Sequence, residues 1–256
     1  MKVRIAQLVV TKDIPTNSNK ILTTLDDAQP NEFVIFPEGM LSGYYPEEKT
    51  FLDELDPQLI ANEIEKIHQK VKQKHVICLF GTATKTDNSW YNSTILLTPE
   101  KRYNYQKNNL STLDRNHFKA GTELKVFEIG GIKVAVQMCR ELTFPEQWKI
   151  LKKSGVQVIF HINNAIKESD KLREKVLVSR AFENQVWVCS VNNTASPQTM
   201  SSMIIDPYGK EIWGSTPQKE EIYTEELDLS QVSTQYLQQE RTDLVNVIPV
   251  KPVHIE

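Results

Sequence analysis

The sequence has few cysteines and lacks any long apolar run. Its three cysteines, Cys78, Cys139 and Cys189, are widely spaced and form no Cys-x-x-Cys pair, so neither a disulfide framework nor a zinc site is indicated. No stretch approaches the roughly 18 apolar residues of a membrane span. The apolar run in the opening MKVRIAQLVVTKD is also too short for a signal peptide. We therefore expect a cytoplasmic protein that has no membrane partner.

The sequence also has no marked excess of charge of either sign. Its 30 basic and 33 acidic residues give a net charge of −3 and are mixed along the chain. This balance argues against a protein that binds nucleic acid or an anionic membrane, because such binding requires a basic patch. No linker rich in Pro, Gly or Ser interrupts the 256 residues, so we predict a single domain over residues 1–256.

Strand-like and helix-like segments alternate along the chain, which predicts a layered α/β fold with helices covering sheets. Helices are predicted at NSNKILTTLDDA, with an Asn or Ser as its cap, at residues 57–74, at PEQWKILKKSG and at SDKLREKVLVSRAFENQ. A hairpin is predicted about Gly130 and Gly131, and the last residues are expected to form an extended tail. Strands are predicted at VRIAQLVV, EFVIFPE, HVICLFGTAT, WYNSTILLTP, RYNYQK, VQVIFHIN, VWVCSVNN, SSMIIDPYG and EEIYTEELDL.

Cys139 stands where the apolar strand of VAVQMCRELTFPE gives way to a polar turn, and Pro145 then suits the first turn of a helix. Open α/β sheets bind ligands at the carboxyl ends of their strands, where free backbone N–H groups can stabilise an anion. A lone cysteine is ordinarily a buried structural residue, and we assign that role to Cys78 and Cys189, which lie in mid-strand. Cys139 is a candidate nucleophile, which requires a base.

The base is better sought among carboxylates than among the five histidines, because neither His117 nor His161 has a convincing acid beside it in sequence. Glu38 follows the strand of FVIFPEGM, and a partly desolvated carboxylate there has the proton affinity of a general base. Lys107 follows the strand of RYNYQK, where an ammonium beside a carboxylate can stabilise an oxyanion. Each residue has an ordinary alternative, a solvated loop glutamate and a surface lysine. GxSxG, GxxxxGK[ST] and GxGxxG are all absent.

Together, FPEGMLSGY, YNYQKNNL and MCRELTFPE resemble, in order and spacing, the three signatures of the nitrilase superfamily, the carbon–nitrogen hydrolases. REKVLVSRAFENQVWVCSVNNT and SSMIIDPYGK are similar to two further family segments, so the resemblance covers nearly the whole chain. It implies a four-layer αββα sandwich that hydrolyses an amide, carbamoyl or nitrile C–N bond without a metal or organic cofactor. It also implies a homodimer or higher homo-oligomer, paired through the helix near Pro145 and the helix of residues 168–185.

The resemblance further implies roles for the candidate residues. Glu38 would be the base, Cys139 the nucleophile that forms a thioester, and Lys107, with the backbone N–H of Arg140, the stabiliser of the oxyanion. Some family members place a second glutamate a few residues after the lysine. Here Asp114 stands near that position and is a candidate substrate-binding residue, although its shorter side chain would place its carboxylate further from the substrate.

The substrate is the part that the sequence restricts least. Arg140 either pairs with a substrate carboxylate or braces the turn. Asn163 and Asn164 at a strand end are candidates for binding a polar group, and Tyr44 and Phe144 are candidate walls. We expect a small polar amide, such as the ω-amide of a dicarboxylic acid. The alternatives are an N-carbamoyl amine or amino acid, a non-catalytic binding protein with the same fold, and a redox sensor.

Overall fold

The computed structural model describes residues 1–165, 171–195, 198 and 200–241. These residues form α1 (Ile14–Asp26), α2 (Pro57–Lys74), α3 (Pro145–Lys153), α4 (Lys171–Asn184) and α5 (Gln235–Gln239). Their strands are β1 (Lys2–Gln7), β2 (Phe33–Ile35), β3 (Ile77–Thr86), β4 (Ser89–Leu97), β5 (Arg102–Gln106), β6 (Val126–Ile129), β7 (Ile132–Met138), β8 (Val158–Ile162), β9 (Trp187–Val191), β10 (Met203–Ile205), β11 (Glu211–Gly214) and β12 (Glu221–Glu226).

The strands form two six-stranded sheets, in the orders β12-β1-β2-β3-β4-β5 and β11-β10-β9-β8-β7-β6. Each sheet has three parallel strands at its centre, β1 to β3 in the first and β7 to β9 in the second. β5 runs in the same direction as β3, because both are antiparallel to β4. The carboxyl ends of β2, β3 and β5 therefore lie at one edge of the first sheet, and those of β7, β8 and β9 at one edge of the second.

Three apolar clusters fill the space between the layers. The first lies between the sheets, and in it the rings of Phe33 and Phe160 have centroids 5.9 Å apart. The second packs α1 and α2 against the first sheet. The third packs α3 and α4 against the second sheet, with Trp148 and Leu177 fully buried. The predicted αββα sandwich is therefore confirmed.

The ends of the helices follow the local sequence. α2 begins at Pro57 as predicted, where the side chain of Asp56 accepts a hydrogen bond from the Gln58 N–H. The predicted Asn or Ser cap of α1 is wrong. Asp13 caps that helix by accepting from the Thr16 N–H at 2.8 Å, because Pro15 favours an earlier start.

The Gly130–Gly131 turn joins β6 to β7 as predicted, and both glycines have positive φ, as a tight hairpin requires. β11 has no counterpart among the predicted strands, because its four residues lack a clear apolar alternation. The predicted start of the fourth helix at residues 169–170 and the predicted tail beyond residue 241 lie outside the described residues. Among those described, no helix is long and apolar enough to cross a membrane.

Candidate active site

Glu38 lies in the turn that follows β2 and is fully buried. The turn packs closely on β3 because Gly81 has no side chain, and a Cβ there would stand 2.6 Å from the Glu38 Cα. Oε1 of Glu38 accepts hydrogen bonds from Asn92 Nδ2 and Lys107 Nζ, each at 2.8 Å. Oε2 has no hydrogen-bond partner among the described residues. One carboxylate oxygen is thus held in place while the other remains available for a proton.

Lys107 follows β5, and its ammonium lies between two carboxylates. Nζ donates to Glu38 Oε1 and to Asp114 Oδ2, both at 2.8 Å, and all three side chains are completely buried. Burial disfavours the charge, but Glu38 and Asp114 outweigh it and raise the pKa of Lys107 above its usual value. The two carboxylates therefore favour the charged form of the lysine inside the site.

Asp114 holds the second side of this ammonium. Its Oδ1 accepts from the Tyr44 hydroxyl at 2.6 Å, and its Oδ2 from the Ser111 N–H at 2.9 Å. Burial opposes ionisation, but Lys107 and these hydrogen bonds hold the pKa of Asp114 below its usual range. The shorter carboxylate therefore reaches the lysine and fixes its position.

Cys139 directly follows β7 and is 8% exposed. Its φ of +40° lies in the left-handed region, which non-glycine residues rarely adopt and which is concentrated at functional sites. A short 3₁₀ turn, Cys139–Thr143, then leads into α3. Burial and Glu38 raise the pKa of the Cys139 thiol, while Arg173 and Lys107 oppose that rise.

Glu141 joins the Lys107 segment to the Cys139 segment. Its fully buried carboxylate accepts from the Met138 N–H at 2.8 Å, the Asn108 N–H at 2.7 Å and the Tyr105 hydroxyl. Burial raises the pKa of Glu141, and these donors counteract the effect. Glu141 is not among the residues predicted from the sequence, although an acid two positions after a candidate nucleophile is a usable signal.

Cys139 opens onto a small cleft of about 170 Å³. Tyr44, Arg140 and Asn164 line this cleft, as does Arg173, which is not among the residues predicted from the sequence. Arg140 is exposed at its mouth. Asn164 is held by its neighbours, because its Oδ1 accepts from the side-chain amides of Asn193 and Gln198.

Three candidate substrate-binding residues, Asp114, Asn163 and Phe144, do not line this cleft, and the carboxylate of Asp114 contacts Lys107 instead. Asn163 is fully buried, and its Nδ2 lies 2.9 Å from Met200 Sδ. Phe144 is 37% exposed and is not among the residues that line the cleft. The carboxyl end of β8 therefore brings one asparagine, Asn164, to the cleft.

The described histidines nearest the site have structural contacts. His161 Nε2 is 3.3 Å from the Cys139 carbonyl oxygen, and burial lowers the pKa of His161 to about 3. His117 Nε2 is 2.9 Å from the Pro46 carbonyl oxygen. No cluster of three or more His, Cys, Asp or Glu side chains is arranged to hold a metal ion in the part of the chain that the structure describes.

Comparisons with known proteins identify the family of this chain. The family model of the carbon–nitrogen hydrolases matches residues 2–236. An (R)-stereoselective amidase of Pseudomonas sp. is 26% identical over 243 residues, which cover 91% of this chain and 86% of the relative. A 2-oxoglutaramate amidase of Bacillus subtilis is 26% identical over 211 residues, which cover 78% of this chain and 79% of the relative.

Solved structures show the same fold. A mutant of the amidase from Nesterenkonia sp. AN1, with the acetamide moiety of fluoroacetamide added covalently at its active-site cysteine, superimposes with a TM-score of 0.82 at 16% identity over 94% of each chain. At this identity the likeness concerns the fold alone, whereas the family match spans almost the whole sequence. The chain therefore belongs to the carbon–nitrogen hydrolase family and is an enzyme of the amidase type.

Proposed function

We propose that the enzyme hydrolyses a small polar amide through a thioester, with Glu38 as base, Lys107 as the oxyanion-stabilising cation and Cys139 as nucleophile. The observation that supports this most directly is the set of contacts around Lys107. Its ammonium holds Glu38 Oε1, and Glu38 Oε2 has no hydrogen-bond partner among the described residues. A base with one oriented oxygen and one open oxygen is suited to shuttle a proton.

The first half of the reaction forms the thioester. Glu38 takes the thiol proton as Cys139 Sγ attacks the amide carbonyl carbon, and the negative charge moves to the carbonyl oxygen. Lys107 and the backbone N–H of Arg140 stabilise this oxyanion, each such donor contributing about 3–4 kcal/mol in the transition state. Glu38 then gives its proton to the leaving nitrogen, the C–N bond breaks, and ammonia departs.

The second half hydrolyses the thioester. Glu38 accepts a proton from water, whose oxygen attacks the thioester carbon and again forms an oxyanion beside Lys107. The C–S bond then breaks, the proton returns to the sulfur, and the carboxylic acid product leaves. Proton transfer by one positioned carboxylate typically contributes about 10²–10⁴-fold to the rate.

The cleft favours an amide that carries a carboxylate. Arg140 is exposed at the mouth, where a guanidinium can bind a carboxylate through two hydrogen bonds. The name of the 2-oxoglutaramate amidase supports the same class, the ω-amide of a dicarboxylic acid. An N-carbamoyl amine or amino acid is the second candidate, because it presents the same reacting group, a carbonyl bonded to nitrogen.

Ammonia release over a matched panel tests the substrate class. The panel holds the monoamide of a dicarboxylic acid, the corresponding neutral diamide, an N-carbamoyl amino acid and an aliphatic nitrile. We expect the largest kcat/KM for the monoamide, and in Arg140→Gln a rise of about tenfold in its KM, since hydrogen bonds to charged groups contribute about 1.5–3 kcal/mol. The neutral diamide should be unaffected. Lys101→Gln, an exposed cation in the β4–β5 turn, is the control.

A different pattern would contradict this assignment. Equal kcat/KM values for monoamide and diamide would remove the role of Arg140 in substrate selection. A preference for the carbamoyl compound would replace the ω-amide with the second candidate. Ammonia release from none of the four compounds would contradict the proposed substrate range.

We also propose that residues 1–256 form one cytoplasmic domain whose subunits pair through α3 and α4. Ile150 of α3 is 52% exposed, and Leu172 and Phe182 of α4 are 65% and 47% exposed. In sedimentation experiments we expect the wild type to be a dimer. The Ile150→Glu variant should dissociate into monomers, because the substitution would bury a charge in an apolar contact. Ile222→Glu, a 44% exposed position on β12, should remain dimeric. A monomeric wild type would contradict the pairing.

A further inference from the structure

Arg173 contacts both the backbone and the sulfur of Cys139. It lies in the first turn of α4, and its Nη2 is 2.8 Å from the Cys139 carbonyl oxygen and 3.4 Å from Sγ. The side chain also lines the cleft. The first turn of a helix disfavours basic residues because the helix dipole is positive there. An arginine at this position is therefore better explained by its contact with Cys139 than by the stability of α4.

The charges of the buried site are unequal without Arg173. Glu38 and Asp114 are both held by the single ammonium of Lys107. When the Cys139 proton moves to Glu38, the negative charge passes from the carboxylate that Lys107 holds to the sulfur, in the same buried region, where an uncompensated charge is strongly disfavoured. The guanidinium of Arg173 is permanently charged and touches the sulfur. It supplies a cation for the thiolate, while Lys107 remains paired with Asp114.

The other ionisable neighbours do not supply that charge. Burial lowers the pKa of His161 to about 3, so its ring is neutral at working pH. Burial and the nearby carboxylates raise the pKa of Tyr44, which stays protonated. Arg140 is exposed, and water screens its charge. Arg173 and Lys107 are thus the two cations that oppose the raised pKa of the Cys139 thiol.

His161 shares one of the two contacts that Arg173 makes, the one to the Cys139 carbonyl oxygen. Its Nε2 lies 3.3 Å from the same Cys139 carbonyl oxygen, and its Nδ1 lies 2.9 Å from Ser190 Oγ. A carbonyl can only accept, so the single ring proton is on Nε2, and Nδ1 accepts from the Ser190 hydroxyl. His161 therefore supports the left-handed backbone of Cys139 and has no hydrogen bond to its sulfur.

We infer that Arg173 is a further catalytic residue, whose guanidinium stabilises the Cys139 thiolate while it holds the carbonyl of the same residue. The inference rests on the proposed role of Cys139 as nucleophile. When the thiol proton moves to Glu38, the negative charge left on Sγ faces the Arg173 N–H groups. His161 is a positioning residue that acts on the backbone alone.

Alkylation of Cys139 by iodoacetamide tests this inference without requiring turnover. The rate is measured from pH 5 to 10 by mass spectrometry of the Cys139 peptide in the wild type, Arg173→Gln, Arg173→Lys and His161→Gln. Cys78 and Cys189 are fully buried and report on the integrity of each variant, because they stay unlabelled in folded protein. The thiolate is the reactive form, so the rate follows the ionised fraction.

We expect Arg173→Gln to shift the pH profile upward by about one unit, which lowers the rate about tenfold at neutral pH, since a nearby opposite charge moves a pKa by about 1–3 units. Arg173→Lys should show a smaller shift because it retains the charge. His161→Gln should keep the wild-type profile. If Cys78 and Cys189 become labelled in Arg173→Gln, that variant is not properly folded, and Arg173→Lys then provides the test.

Parallel alkylation by iodoacetate distinguishes a role in substrate binding. If Arg173→Gln slows iodoacetate but not iodoacetamide, Arg173 binds a substrate carboxylate and the inference is overturned. Unchanged profiles for both reagents also overturn it, while leaving Cys139 as the nucleophile. A wild-type Cys139 that reacts with neither reagent contradicts the proposed nucleophile itself.

Discussion

Replacement of Cys139 with alanine is expected to abolish ammonia release, by at least about 10⁴-fold, while the protein remains folded. The thioester cannot form without the sulfur, and neither of the other two cysteines is accessible, because Cys78 and Cys189 are fully buried. The substitution leaves the contacts of Glu38, Lys107 and Asp114 intact. The measurements are ammonia release at saturating substrate and the thermal unfolding midpoint.

Cys78→Ala is the matched control for this variant. Cys78 lies in β3 within the cluster that packs the first sheet against α1 and α2. Loss of its sulfur should reduce the free energy of unfolding by about 1 kcal/mol and leave kcat unchanged. Retained turnover in Cys139→Ala would contradict the proposed mechanism. Equal losses of kcat in Cys139→Ala and Cys78→Ala would contradict it as well.

The second large effect is expected from Lys107→Met. Removal of the ammonium leaves Glu38 and Asp114 buried without their shared cation, which should lower the free energy of unfolding by about 3–5 kcal/mol. Loss of the oxyanion-stabilising charge should also reduce kcat about 10²–10³-fold. Urea denaturation and ammonia release measure the two effects separately.

A double variant distinguishes the structural role of Lys107 from its catalytic role. Lys107→Met combined with Asp114→Asn removes one of the two unpaired charges, so part of the lost stability should return. The kcat should stay low, because the cation is still absent. Recovery of kcat together with stability would mean that Lys107 acts through folding alone and would contradict its assigned part in the reaction.

The strands and the groups at their ends were predictable from local sequence. The strand-like segments before Glu38, Lys107 and Cys139 place these residues at strand ends, and parallel strands bring their carboxyl ends to one edge of a sheet. The direction of side chains just after a strand is harder to predict. Successive side chains point to opposite faces, so Asn163 and Asn164 do not both face the cleft, and the sequence does not say which one does.

The long-range contacts were not predictable in this way. Arg173 is 34 residues from Cys139, and its contact depends on how α4 packs against the second sheet. Glu141 is close to Cys139 in sequence, but its bonds to Asn108 and Tyr105 cross from one sheet to the other. The prediction that Phe144 forms a wall of the cleft is wrong for a local reason. Phe144 follows the 3₁₀ turn Cys139–Thr143, is 37% exposed and does not line the cleft.

Glu38 and Lys107 follow strands of the first sheet and Cys139 follows a strand of the second, so the apolar cluster between the sheets sets the distances between the proposed catalytic groups. Its packed rings, such as Phe33 and Phe160, thereby fix the separation of the two sheets without contacting the site. A displacement of about 1 Å can reduce a rate about 10²-fold. We therefore expect substitutions that change the volume of this core to lower kcat before they unfold the protein. The limit on such substitutions would then be the distances between Glu38, Lys107 and Cys139 rather than the free energy of unfolding.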